Sequence, residues 1–195
     1  MSLIPRISER GSWFWPGVVL ALSVTGCQTG GGAGDTAQPL PLVDHVELAR
    51  FMGDWYVIAN LPTFIEKGAH NAVERYAWNA DGTIATTFTF NQDAFDGPRK
   101  DYHPKGFVRE GTGNAKWGMQ LLWPFKADYL IIHLDDDYGT TIIGVPDRKY
   151  VWIMAREPEI PGAKYEALVD FLRSVGYDVS QLEKVPQRWP GRAGN

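Results

Sequence analysis

Along most of the chain, apolar and polar residues alternate with the period of two that marks strands rather than helices. In 52–59, Trp55, Val57 and Ala59 fall on one face and Tyr56 and Ile58 on the other, which predicts the first strand. Similar alternation predicts strands over 72–78, 83–92, 104–109, 115–122, 127–134, 140–145 and 150–156. In the third, Ile84, Phe88 and Phe90 share a face opposite Ala85, Thr87 and Thr89. Asp81-Gly82 between two alternating runs is a hairpin signal, and 93–100 reads as a turn-rich break. Asp44 to Glu47 has the pattern of a capping box, opening a single helical turn through Phe51. A longer helical period comes only at the end, where Tyr165, Leu168, Val169 and Leu172 predict a helix over about 162–175, stopped by Gly176. The pattern is all-β: eight antiparallel strands in a barrel or sandwich, with one C-terminal helix laying its apolar stripe on the outer wall.

The chain begins differently. Arg6 and Arg10 precede an apolar run, 13–24, that is too short to span a bilayer, the layout of a secretory signal peptide. The run ends Val24-Thr25-Gly26-Cys27, which resembles the bacterial lipobox, in which the cysteine is acylated and becomes the mature N-terminus. The alternative is an ordinary signal with a chance cysteine. Four segments follow: 1–26 as lipoprotein signal peptide, 27–43 as lipidated Cys27 and a Gly- and Pro-rich tether, 44–187 as the folded domain, and 188–195 as a tail. Cys27 is the sole cysteine, so no disulfide forms within the chain. Gln28, not Asp, follows it, which by resemblance to Gram-negative lipoproteins points to the outer membrane.

A net charge of -4 with no basic stripe argues against a nucleic-acid partner. His45, His70, His103 and His133 lack the close spacing of metal sites, and Asp135-Asp136-Asp137 reads as a solvated turn, so no metal or cofactor is implied. Aromatic residues make up 13% of the chain, with eight tryptophans, of which Trp13 and Trp15 leave with the signal.

An eight-stranded barrel holds either its own side chains or one small ligand. The expected inward set is Tyr76, Phe88, Phe90, Trp117, Met119, Leu121, Tyr150, Trp152 and Met154, rigid rings and adaptable thioethers that suit a pocket or a packed core alike. Glu74 shares the parity of Tyr76 and so points inward, either paired with a cation such as Arg109 or serving a ligand. Arg99, Lys100, Lys105 and Lys126 are candidates for gathering near a head-group phosphate at the rim, against the commoner fate of solvated surface charge.

Gly53-x-Trp55 on the first strand and Arg156 at the end of the eighth resemble the two ends of the lipocalin signature. In that family the arginine packs over the tryptophan and closes one end of the barrel. Leu134 to Tyr138 is similar to the family's turn before the seventh strand, in a looser form. Met52 to Ala59, Trp123-Pro124-Phe125, Pro146-Asp147-Arg148, Tyr150 to Ile153 and Gly176 to Ser180 resemble the bacterial outer-membrane lipocalins related to apolipoprotein D. The resemblance implies an up-and-down barrel and no catalysis. It also implies transport or storage of a single-chain lipid, a lysophospholipid or fatty acid, on the periplasmic side of the outer membrane, and it allows a homodimer. Two other readings stand beside it: a structural or partner-binding lipoprotein with a packed barrel, and a pigment or haem carrier.

Overall fold

The computed structural model describes residues 38–190. The expected signal peptide, Cys27 and most of the expected tether lie outside the described residues. A short helix α1 (Leu48–Phe51) leads into β1 (Gly53–Leu61), β2 (Ala69–Trp78), β3 (Ile84–Gln92), β4 (Arg99–Tyr102), β5 (Lys105–Val108), β6 (Lys116–Gln120), β7 (Ala127–Leu134), β8 (Thr140–Gly144) and β9 (Val151–Ala155). Helix α2 (Gly162–Ser174) and a two-residue β10 (Glu183–Lys184) follow. The strands pair antiparallel in the order β1-β2-β3-β5-β6-β7-β8-β9, with β4 also on β3 and β10 on β1, and β9 returns to pair with β1 from Tyr56↔Ala155 to Leu61↔Val151, closing the barrel.

β4 and β5 are two halves of one barrel strand. Both pair with β3, through Phe88↔Tyr102 above and Ile84↔Gly106 below. Pro104 lacks the N–H a continuous ladder needs, and the break is bridged by the Thr86 amide donating to the Pro104 carbonyl at 3.0 Å. The barrel therefore has eight strands, as the alternation predicted. The expected break at 93–100 was two residues too long at its end, because Arg99 and Lys100 already pair with Asn91 and Phe90.

A β-bulge at Ile58 alters the first strand's facing. Val57 lies opposite Met154 but Ala59 lies opposite Ile153, so Ala59 turns to the outer wall and Asn60, opposite Trp152, turns inward. The expectation that Ala59 shares a face with Trp55 fails for this reason.

Two apolar layers result. The inner one fills the barrel around Trp55, Tyr76, Ile84, Phe90, Trp117 and Met154. The outer one joins Ile142, Val151 and Ile153 to Leu168, Val169 and Leu172 of α2, which places the helix as its stripe predicted. Tyr177 secures this layer: its hydroxyl accepts from the Val145 amide at 3.1 Å and reaches the Tyr150 carbonyl at 3.2 Å, and burial pushes its pKa up to about 12.

The ordered packing begins inside the expected tether. Leu40 is buried in the outer layer, and the Val43 amide donates to Ile131 at 3.1 Å. The segment also continues into the expected tail, where Trp189 packs edge-on to Tyr56 at 5.3 Å. α1 begins at Leu48 after Glu47 with no side-chain cap. In place of a capping box, the Val46 amide bonds the Gly113 carbonyl at 2.8 Å.

Candidate functional site

The alternation of antiparallel strands fixes which end of the barrel is which. β1 starts, and β9 ends, at the end covered by α1. The connections 62–68, 93–98, 121–126 and 145–150 gather at the opposite end, the mouth.

The covered end is sealed. Arg156 lies over the Trp55 indole with its guanidinium carbon 3.8 Å from the ring centroid. It donates to the carbonyls of Asp54 (2.8 Å), Arg50 (2.7 Å), Phe51 (3.1 Å) and Met52 (3.0 Å). Gly53 permits the approach: its φ is +97°, and a Cβ there would stand 3.4 Å from the guanidinium. The Trp55 N–H donates to the Phe51 carbonyl at 2.9 Å. Tyr138 of the 135–139 turn adds its hydroxyl as acceptor for the Glu47 amide at 2.8 Å, with Arg50 4.0 Å over its ring.

Above this seal lies a floor of rings. Phe51 stands 5.0 Å from Trp55 and 5.5 Å from both Tyr76 and Trp117, and Trp117 stacks on Tyr129 at 5.5 Å. The Tyr76 and Tyr129 hydroxyls are hydrogen-bonded to each other. Burial raises the pKa of both tyrosines, with the nearby Glu74 carboxyl adding to the shift. Tyr76, Trp117 and Met154 are thus brought into the interior, but as its tightly packed floor and lower wall.

The upper half is built differently. Phe88 and Phe90 stand 5.4 Å apart, with Tyr102 stacked against them at 6.5 and 6.2 Å. Met119 is half-buried beside Thr86, whose hydroxyl lies 3.7 Å from its sulfur. Trp152 is half-buried, with Tyr150 6.5 Å away at the rim and 36% exposed. Leu121 falls past the end of β6 and is 46% exposed, so it stands on the rim and not on the inner wall where its phase with Met119 placed it. It belongs to a run of exposed apolar residues: Leu122 (71%), Trp123 (86%) and Phe125 (77%); Phe64 (86%) is exposed on the 62–68 connection of the same end.

Two carboxylates enter this space. Glu74 faces inward between Trp55 and Phe88 on the adjoining strands and is 8% exposed. Arg109, the expected partner, instead approaches Gly118, and the Glu74 carboxyl has the Tyr76 hydroxyl beside it and Glu66 as the neighbouring charge. Burial pushes its pKa up to about 8, opposed by the Tyr76 hydroxyl and assisted by Glu66. Glu66, at 6% exposure, folds down from the 62–68 connection and accepts from the Trp152 indole at 2.8 Å and the Thr63 amide at 2.9 Å. Sequence reasoning missed Glu66 because no strand period reaches into that connection. Tyr102 and Tyr129 were missed although each alternates in step with its strand.

The expected basic cluster does not assemble. Lys105 bonds Asp81 at 2.7 Å near the covered end, Lys126 lies 3.3 Å over the Phe107 ring on the outside, and Arg99 is exposed. Lys100 alone of the four faces inward, opposite Phe90 near the mouth. Among the described residues, no group of three or more His, Cys, Asp or Glu is placed to hold a metal ion.

The fold is a closed eight-stranded antiparallel barrel, sealed at one end by an arginine over a tryptophan and lined with half-buried aromatic residues toward the other. The chain belongs to the lipocalin family: the model of the lipocalin-like domain matches residues 46–187. Temperature-induced lipocalin-1 of Arabidopsis thaliana is 30% identical over 76% of this chain and 83% of its own length. The outer membrane lipoprotein Blc of Vibrio cholerae is 22% identical over 88% and 96%, and that of Escherichia coli K12 26% identical over 75% and 82%. Among solved structures, insecticyanin from the tobacco hornworm Manduca sexta superposes with a TM-score of 0.59 at 17% identity, over 75% of this chain and 83% of that one, a likeness of fold.

Proposed function

We propose that the protein stores or transports a single-chain lipid, a lysophospholipid or fatty acid, and is anchored through acylated Cys27 to the periplasmic face of the outer membrane, where it serves membrane maintenance. It does so by binding and not by catalysis. The observation that carries this reading is the asymmetry of the interior. The rings of Phe51, Trp55, Tyr76 and Trp117 fill the covered end, while the half-buried Met119, Tyr102 and Trp152 line the way to a mouth whose rim exposes Phe64, Leu122, Trp123 and Phe125. Exposed apolar clusters of this kind on a soluble barrel mark contact with lipid or with another apolar surface. Support also comes from the relatives called outer membrane lipoproteins and from the lipobox-like Val24 to Cys27.

The energetics suit one alkyl chain. Burying roughly a dozen methylenes at ~0.8 kcal/mol each gives on the order of 10 kcal/mol gross, compatible after ordering costs with micromolar binding near ~8 kcal/mol. The test is denaturing extraction of protein purified from cells, followed by mass spectrometry, with titration of a lysophospholipid against tryptophan emission. A bound single-chain lipid and a saturable change from Trp152 are expected. An empty extract together with flat emission would leave the packed structural lipoprotein as the better reading, and a coloured ring compound would make the protein a pigment or haem carrier.

A further inference from the structure

Within the barrel, Glu74 is the feature that lipid storage alone does not explain. A carboxyl held against Trp55 and Phe88 is expensive to bury unless something compensates it. Its charged neighbour is a second carboxylate, Glu66, and its polar neighbour a tyrosine hydroxyl. Beside it on β3 and β4 stand the aromatic faces of Phe88, Phe90 and Tyr102, surfaces that attract cations.

We propose that the upper barrel is a cation-selective site, taking a single-chain amphiphile head-inward so that its positively charged nitrogen pairs with Glu74 while its alkyl tail extends to the apolar rim. The inference rests on the carrier reading and narrows it: among single-chain lipids the site selects those bearing a cationic nitrogen and disfavours fatty-acid anions. Three features of the molecule agree. An incoming cation supplies the countercharge that the described residues do not. Glu66, fixed by Trp152 and Thr63 above Glu74, adds a second negative charge along the path and repels anions. The tail of a head-inward ligand ends among Phe64, Leu122, Trp123 and Phe125, which accounts for their exposure.

Binding carries a proton signature. At neutral pH the Glu74 carboxyl, raised to about 8 by burial, is mostly protonated; pairing with a cation makes it ionise and release that proton. The groups facing it are Tyr76 on its own strand, Tyr129 on β7 and Glu66 on the 62–68 connection, with Lys100 of β4 nearer the mouth. Both tyrosines titrate far above neutrality, so they stay silent in this range.

The experiment uses three probes with the same chain: decyltrimethylammonium, decanol and decanoate, titrated calorimetrically into the purified protein at pH 7 in buffers of different ionisation enthalpy. The quaternary ammonium has no proton of its own, so any release belongs to the protein. It is expected to bind roughly ten- to a hundredfold more tightly than decanol, through ion pairing and cation–π contact with no hydrogen bond, with release approaching one proton, and decanoate more weakly than decanol. Glu74→Gln, nearly isosteric with the protonated acid, should abolish both the preference and the release, so that the ammonium binds no more tightly than decanol. Equal binding of all three, or a preference for decanoate, overturns the proposal and leaves the carrier reading intact. Failure of all three to bind overturns both. The comparison of probes on the unaltered protein decides the matter even if the variant fails to fold.

Discussion

The Trp152 indole donates to the Glu66 carboxylate at 2.8 Å, across 86 positions of sequence, and so ties the 62–68 connection down over the mouth of the barrel. The other oxygen of the same carboxylate holds the Thr63 amide. The connection is thereby latched at both its start and its centre. Replacing Glu66 by Ala removes two charge-assisted bonds, each of order 1.5 to 3 kcal/mol. Trypsin cleavage after the exposed Lys67 should then accelerate about tenfold or more, and lipid exchange should quicken with it. An unchanged cleavage rate would mean that the backbone turn from Thr63 to Ala69 holds the connection without the latch.

At the opposite end, Arg156 joins four carbonyls of the segment 50–54 to the Trp55 indole. Arg156→Ala should lower stability by about 2 to 3 kcal/mol, combining the lost cation–π contact with carbonyls stripped of their donor. Urea midpoints measure it. The mouth is at the far end of the strands, so lysophospholipid affinity should change less than about twofold. Lys at this position restores only part, because an ammonium lacks the planar fork that reaches several carbonyls at once.

Glu74 makes stability depend on pH in a defined direction. Its folded pKa of about 8 exceeds the ordinary 4.5, so between these values the unfolded chain has lost a proton that the folded chain retains. Stability is full below about pH 4.5, falls by up to about 1.4 kcal/mol per pH unit as the pH rises toward 8, and levels off above it. Asp54 and Asp135, held below their usual values by Arg75 and Lys164, lose their contributions only in more acidic solution, outside this window. Ligand-free protein should therefore melt at a higher temperature at pH 5 than at pH 8, and Glu74→Gln should flatten that slope. A profile equally steep in the variant would assign the dependence to another group.

The barrel was legible in the sequence because it rests on local signals, and its seal because the residues that form it resemble the lipocalin signature. Alternation marks each strand, and Gly53, Trp55 and Arg156 are chemically distinctive residues at strand ends. What escaped notice depends on contacts between distant segments. The bulge at Ile58 reverses the facing of Ala59 and Asn60 without any break in the apolar run. Pro104 splits a strand whose first half, Arg99–Tyr102, looks polar because only Tyr102 and Lys100 face inward. Leu121 kept the parity of Met119, but β6 ends at Gln120, and parity has no meaning beyond the ladder. Glu66 looked like loop surface. Its burial follows from an indole donor 86 residues away, for which no spacing rule exists.

The rim residues bear on how lipid reaches the barrel. Trp123, Phe125 and Phe64 are each more than three-quarters exposed and stand on two of the connections at the mouth, a position from which they enter the apolar layer of a bilayer if the proposed anchor lets the domain turn its mouth toward the membrane. Cys27→Ala should release the protein from membranes, and retention after this change would overturn the anchor assignment. In the Cys27→Ala background, weak binding to phospholipid vesicles should remain. Trp123→Ala with Phe125→Ala should reduce that binding about tenfold or more, since each ring contributes of order 1.5 to 3 kcal/mol when fully buried. Folded stability should change by less than about 0.5 kcal/mol, because neither ring packs on the core. Co-sedimentation with vesicles and a urea melt on the same preparations separate the two effects. Loss of stability without loss of vesicle binding would assign these rings to the fold and not to the membrane.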